Sequence, residues 1–199
     1  MKVALLSSGR IPLPPIRGGA VEEYVYQLSR YLRKLGVEAV AIDSTFNDNI
    51  AGLYKFDSSL VLKIRVPKII NVPRRKILQE YVFGIKASEV LKEFDIVHAN
   101  TAWAGFASIT KLGNKNFVYT CHNGLWTEEK VHSSEHVVRF IEGYTMRKSR
   151  AVIALNKTMM RAMIEKARVD SQKIFIVPNG VDTEFFKPDI PAEYIIKKY

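Results

Sequence analysis

The feature that most constrains this chain is an alternation. Apolar runs of strand length are separated repeatedly by segments whose apolar residues recur at helical spacing. Residues 2–7 read as a buried strand. Val21, Tyr24, Val25, Leu28, Tyr31, Leu32 and Leu35 then follow a helical period. Glu22 and Glu23 lie at the start of that helix and Arg30, Arg33 and Lys34 at its end, the order its dipole favours, and Gly36 supplies a stop. Further strands are expected at 37–42, 60–66, 95–98, 116–121, 150–155 and 174–177. Helices are expected over 76–93 (Leu78, Val82, Ile85, Val90 and Leu91 inward), 103–112 and 131–148. Another follows the N-cap Asn156, with Met160, Met163, Ile164 and Ala167 on one face. Residues 43–58, rich in Asn and Asp, read as loop. The repeated βα alternation predicts an α/β fold: a doubly wound, mainly parallel sheet with helices on both faces.

Composition bounds the function. A length of 199 residues, 47% hydrophobic and 25% charged, suits one soluble domain with a full core. No apolar run reaches membrane-span length, and the N-terminus enters a strand directly, without the pattern of a secretion signal. The single Cys121 cannot form an internal disulfide, so the reading is cytoplasmic. The formal net charge of +10 needs an account. Basic clusters occur at Arg74-Arg75-Lys76, at Arg147, Lys148 and Arg150, and at Arg161, Lys166 and Arg168. A phosphorylated substrate, an anionic membrane touched peripherally, or a more acidic neighbouring domain would each answer it. With no zinc-finger spacing and no RNA-binding signature, nucleic acid is not an expected partner.

In such sheets ligands sit at the carboxyl ends of strands, near the point where strand order reverses. The loop after the first strand carries three prolines, Arg17 and the pair Gly18-Gly19 just before the first helix. It is not G-x-G-x-x-G, which disfavours a nicotinamide enzyme. Two residues without Cβ let a ligand approach the backbone, and the free amides of a first helical turn favour an anion such as a diphosphate. A glycine pair also serves simply to let a chain enter a helix. His98 and His122 each end a strand and so lie on the expected ligand edge, with Asn100 and Asn123 just beyond them. His132 and His136 stand four apart, but with no third ligand evident they read as a solvated helical face.

Near the end, Ile176-Val177-Pro178-Asn179-Gly180-Val181-Asp182 is followed by Phe185-Phe186-Lys187-Pro188. The apolar run stops at proline. Asn179 and Gly180 tolerate positive φ and predict a tight turn before the chain leaves the domain. Three features together resemble family 4 glycosyltransferases, retaining GT-B enzymes that use nucleotide sugars. They are this exit, the double glycine ahead of a helix ending Lys34-Leu35-Gly36, and the strand end Thr120-Cys121-His122. The likeness runs over nearly the whole chain. It departs at Val37, where relatives commonly have His, and at Asn123, where they often have an acidic residue.

The resemblance implies the Rossmann-like N-terminal half of a GT-B fold. Residues 1–188 would be the acceptor-side domain, and 189–199 the start of a linker to a second domain holding most nucleotide contacts. Gly18, Gly19 and Arg17 would meet the donor phosphates. His122 would be the catalytic residue, positioning a sugar hydroxyl or stabilising developing charge, with His98, Asn100 and Asn123 contacting substrate. Asn179, Gly180 and Asp182 would form a hinge. The donor would be a UDP- or GDP-sugar, with no cofactor and no bound metal. The chain has no Asp-x-Asp, the metal motif of the other large glycosyltransferase fold. The acceptor would be a sugar or a lipid-linked sugar, selected by residues 43–58, 67–76 and 123–136. Trp126, Val131, Val137, Val138 and Phe140, with Lys130 and Arg139, would either face a membrane or pack a helix on the sheet. The full-length protein would be a retaining hexosyltransferase, and this chain alone would transfer no sugar. Two other readings stay open: a standalone carbohydrate- or acceptor-binding module, and a GT-B-fold nucleotide-sugar epimerase. The epimerase needs acid and base carboxylates, in which the loops after the first, fourth and fifth expected strands are poor.

Overall fold

The computed structural model describes residues 1–16, 18–113, 116–130, 132–183 and 186. Arg17, Val131 and the expected linker at 189–199 lie outside the described residues. The strands are β1 (Lys2–Leu6), β2 (Glu38–Thr45), β3 (Gly52–Phe56), β4 (Ser59–Arg65), β5 (Ile96–Ala99), β6 (Phe117–Thr120), β7 (Ala151–Ala154) and β8 (Ile174–Ile176). The helices are α1 (Ala20–Lys34), α2 (Arg75–Leu91), α3 (Ala102–Leu112), α4 (Ser133–Lys148) and α5 (Lys157–Glu165). One eight-stranded sheet runs in the order β3-β4-β2-β1-β5-β6-β7-β8. Every pairing is parallel except β3 with β4. The expected fold class is the observed one.

Strand order reverses between β1 and β5. The chain first builds outward from β1 through β2 and β4, then returns to β1's other side with β5. A crevice therefore opens outside the carboxyl ends of β1 and β5. Alternate residues of these strands feed two cores. Val3, Leu5, Ala39, Ala41 and Val61 pack with Val25 and Tyr26 of α1. Ala4, Leu6, Val40, Ile42, Val97, Ala99, Phe117 and Tyr119 pack with residues of α2, α3, α4 and α5.

Three local readings are corrected. Residues 43–58 are not all loop. β2 continues through Thr45, a 3-10 turn spans Asp48–Ile50, and β3 forms a hairpin with β4 through Asp57 at φ 49°. Tyr54 and Phe56 stack on one side of that edge strand, with Lys63 Nζ 5.8 Å from each ring. Helix α2 buries a face partly different from the one expected. Leu91 is buried and Val90 packs against the core as expected, but Leu78 is exposed, while Phe83, Gly84, Ala87 and Ser88 turn inward. The reason is close approach to α3: a Cβ on Gly84 would lie 2.5 Å from the Ala104 carbonyl oxygen, and Ser108 Oγ donates to Gly84 O at 3.0 Å. Small residues, not large ones, make that contact. Of the stripe expected for α1, Tyr31 and the C-cap residue Leu35 are exposed.

Candidate functional site

The loop after β1 is held at its root by two buried carboxylates. Ser7 Oγ donates to Asp43 Oδ1 at 3.1 Å, and the Leu13 amide donates to Asp43 Oδ2 at 2.8 Å. Burial raises the Asp43 carboxyl to about 6, against the pull of these donors and of Lys63. Ser8 Oγ donates to Glu22 in the first turn of α1. That carboxylate lies under Gly19, where a Cβ would fall 2.6 Å from Glu22 Oε2 and 2.9 Å from Ile11 Cδ1. Gly19 also has φ 124°, so any side chain there is doubly opposed. Gly18, at φ 83°, has no atom within 4 Å of a built Cβ and borders open space. The glycine pair thus divides its work: Gly19 lets the loop close onto α1, and Gly18 leaves room in front of it.

At the other side of the reversal point, β5 and β6 deliver the two histidines. His98 Nε2 hydrogen-bonds Thr120 Oγ1 at 2.6 Å. Asn100 donates from Nδ2 to Leu6 O and to His98 O, both at 3.2 Å, so its amide ties β1 to β5 across the crevice. His122 Nε2 lies 3.3 Å from Asn100 Oδ1. The Tyr24 ring meets His122 edge-on at 4.6 Å and His98 at 6.4 Å. Burial, helped by neighbouring His122, lowers His98 from 6.5 to about 4, and burial lowers His122 to about 4. Both imidazoles are neutral at pH 7. They act there as hydrogen-bonding groups, not as cations.

The loop carrying His122 is braced from behind by Glu142 of α4, which is fully buried. Glu142 Oε1 accepts from the Tyr119 hydroxyl at 2.6 Å, from Asn123 Nδ2 at 2.8 Å and from the Cys121 thiol at 3.6 Å. Glu142 Oε2 accepts from Trp126 Nε1 at 2.6 Å. Burial first, then the adjacent carboxylate, pushes Tyr119 and Cys121 well above their ordinary values, so the thiol stays protonated and unreactive. Asn123, read as a ligand contact, has both amide ends engaged, since its Oδ1 accepts from the Leu125 amide at 3.1 Å. Arg139 completes the clamp, donating to Leu125 O from Nε at 3.1 Å and to Glu128 O at 2.8 Å.

A family model described as Glycosyltransferase Family 4 matches residues 17–185, most of the chain. The chain belongs to glycosyltransferase family 4. Two curated relatives are similar to it. The UDP-Gal:alpha-D-GlcNAc-diphosphoundecaprenol alpha-1,3-galactosyltransferase of Escherichia coli is 28% identical over 102 residues, 50% of this chain and 26% of that protein. The phosphatidylinositol N-acetylglucosaminyltransferase GPI3 subunit of Saccharomyces cerevisiae is 24% identical over 195 residues, 90% of this chain and 40% of that protein. Among solved structures, sucrose-phosphate synthase from Thermosynechococcus elongatus superposes with a TM-score of 0.77 at 15% identity, covering 99% of this chain and 52% of the synthase. The fold is that of the GT-B glycosyltransferases, and the chain spans less than half the length of either curated relative and about half that of the synthase.

Within this family 4 domain, His98, Asn100 and His122 lie toward the carboxyl ends of β5 and β6, Gly18 and Gly19 lead into α1, and Tyr24 of α1 meets both histidines. Five residues after Gly19, Tyr24 was legible only as a core position of α1. The exit segment differs from its expectation. Neither Asn179 nor Gly180 has positive φ, and no tight turn forms there. Instead Asn179, Gly180, Val181 and Asp182 run beside α1 and line a cavity of about 450 Å³ with Tyr24, Gln27, Leu28 and Tyr31. Of the residues read as either facing a membrane or packing on the sheet, Trp126 is only 4% exposed because Glu142 holds its indole inside, whereas Phe140 is 68% exposed. His132 and His136 are exposed, and no group of three His, Cys, Asp or Glu among the described residues is placed to hold a metal.

Proposed function

We propose that this family 4 domain forms the acceptor-side wall of a hexosyltransferase that takes its sugar from a nucleotide donor and retains the anomeric configuration. The observation that carries this reading is the junction at Tyr24, which rises from the glycine-bounded end of α1 and packs its ring against His122. Room for a diphosphate beside Gly18 and a neutral hydrogen-bonding imidazole then share one crevice. The leaving diphosphate would take the acceptor's proton, and the protein would supply positioning and charge stabilisation. His122 would bind a sugar hydroxyl, and Arg17 would reach a phosphate. Asn179, Gly180 and Asp182 would act as the hinge to a second domain.

The UDP-Gal named for the Escherichia coli relative supports a UDP-sugar donor, and the diphosphoundecaprenol and phosphatidylinositol named for the two relatives support a lipid-borne acceptor. Supporting the same idea here, Lys68, Ile70, Val72, Arg74, Arg75, Lys76 and Leu78 form one exposed stretch of basic and apolar side chains after β4. It suits an anionic membrane surface at the cytoplasmic face. Sedimentation with anionic vesicles at low salt checks this contact, and no co-sedimentation removes it. No helix among the described residues is long and apolar enough to cross a membrane.

An epimerase reading is weaker, because Asp43, Glu80 and Glu142 each hold a loop. Glu80, for example, accepts from the Trp103 and Ala104 amides and pairs with Arg10 at 3.4 Å. The test is label transfer from UDP- and GDP-sugars to lipid-linked acceptors by the gene product extended past residue 199, with the product anomer read by NMR. Transfer with retention is expected there and none from residues 1–199 alone. Inversion, or turnover by the short chain, overturns the reading.

A further inference from the structure

Asn100 does more than line the crevice. It is 2% exposed and its amide has a definite orientation. The two groups facing one end, Leu6 O and His98 O, are backbone carbonyls of adjacent strands, and carbonyls only accept. That end must be the NH₂. The amide oxygen therefore faces His122 Nε2, and an amide oxygen also only accepts. Turning the amide over would set three acceptors against one another in a buried place, the costly arrangement for polar groups.

The constraint passes to the imidazole. Nε2 must carry a proton to meet Asn100 Oδ1. A neutral imidazole has a single N–H, so Nδ1 keeps a bare lone pair. No described residue hydrogen-bonds Nδ1, and it is not among the buried atoms left without a partner, so it remains open to solvent. We propose that Asn100 is a positioning residue that locks His122 in its Nε2-protonated form, so that the group His122 offers a ligand is the acceptor Nδ1. A bare lone pair matches a hydroxyl, which can donate to it, and repels a phosphate oxygen, which cannot. The crevice thereby separates its tasks, with sugar hydroxyl toward His122 and anion toward the glycine side. That last assignment of the ligand rests on the transferase reading; the tautomer does not.

Residues 1–199, labelled with ¹⁵N and free of ligand, provide the test. Long-range ¹H–¹⁵N spectra at pH 7 should show His122 with a pyrrole-type Nε2 and a pyridine-type Nδ1. Its N–H proton should exchange with solvent roughly tenfold more slowly than in N100A, where the acceptor is gone. The wild-type tautomer is read by itself, so it remains a test where N100A does not fold. A proton on Nδ1 in the wild type, a mixture of both forms, or equal N–H exchange in wild type and N100A overturns the proposal. Because no donor or second domain is involved, such a result leaves the transferase reading standing, while failure of sugar transfer leaves the tautomer standing.

Discussion

The two loops that flank the crevice are held in opposite ways. The loop after β6 is fixed along its length: Glu142 takes donors from Tyr119, Asn123 and Trp126, and Arg139 ties down the carbonyls of Leu125 and Glu128. The loop after β1 is tied only through its first half, by Asp43 to Ser7 and Leu13, by Glu22 to Ser8 and by Glu80 to Arg10, while beyond Leu13 Ile16 is 92% exposed and Gly18 borders empty space. The fixed loop presents a directional group, His122, whose hydrogen bond is useful only if its angle is set in advance. The open loop presents backbone and space, which suits a bulky anion arriving from outside. Rigidity is concentrated where chemistry needs direction.

Removing the brace should have the largest effect. E142A leaves the buried Tyr119 and Trp126 donors and the half-buried Asn123 amide without their acceptor and is expected to cost about 3 kcal/mol or more in urea unfolding. A loss below about 1 kcal/mol would mean that the loop after β6 is not held as described.

Acidity should separate the two sides by sign. His98 binds its proton near 6.5 when unfolded but near 4 when folded, so between those values the unfolded chain holds more protons. Stability from the β5–β6 side is therefore intact above pH 6.5 and declines toward pH 4, by about 3 kcal/mol for His98 alone. His122 acts in the same direction. Asp43 acts in reverse: its carboxyl moves from 3.8 to about 6 on folding, so its contribution improves as pH falls from 6 toward 3.8. Unfolding free energies at pH 7 and 4.5 should show a shallower acid loss in H98Q than in the wild type and a steeper one in D43N. Equal slopes in all three would contradict the assignment.

The smallest effects distinguish the two glycines. G19A meets Glu22 and Ile11 at positive φ and should cost about 2 kcal/mol. G18A has strain but no clash and should cost about 1 kcal/mol. Thermal unfolding of the pair checks the order.

Much of this was legible in the chain. Strand ends announce themselves where an apolar run stops, so His98, Asn100 and His122 were placed toward the carboxyl ends of β5 and β6, and Gly18 and Gly19 between β1 and α1, from the sequence alone. What was hidden was polar structure inside regular elements. Glu142 sits mid-helix and resembles a solvent-facing residue until Tyr119 and Trp126 are seen to point at it. Asp43 closes an apolar run and resembles the start of a loop, yet β2 runs on two residues past it to Thr45 and keeps it buried. The burial of α2 was misjudged because Gly84, Ala87 and Ser88 pack by closeness and not by bulk. Strand β3 is a half-exposed edge whose alternation is diluted by its Asn- and Asp-rich neighbours. The Asn179-Gly180 turn failed because tolerance of positive φ is permission, not instruction.

The central claim is that His122, on its fixed loop, binds the sugar during transfer. Its most direct test compares sugar transfer by wild type and H122A in the gene product extended past residue 199, with folding checked by circular dichroism. The account predicts a loss of about 10²- to 10³-fold in kcat/KM with the fold unchanged. A folded H122A protein that transfers sugar within threefold of the wild-type rate would contradict it.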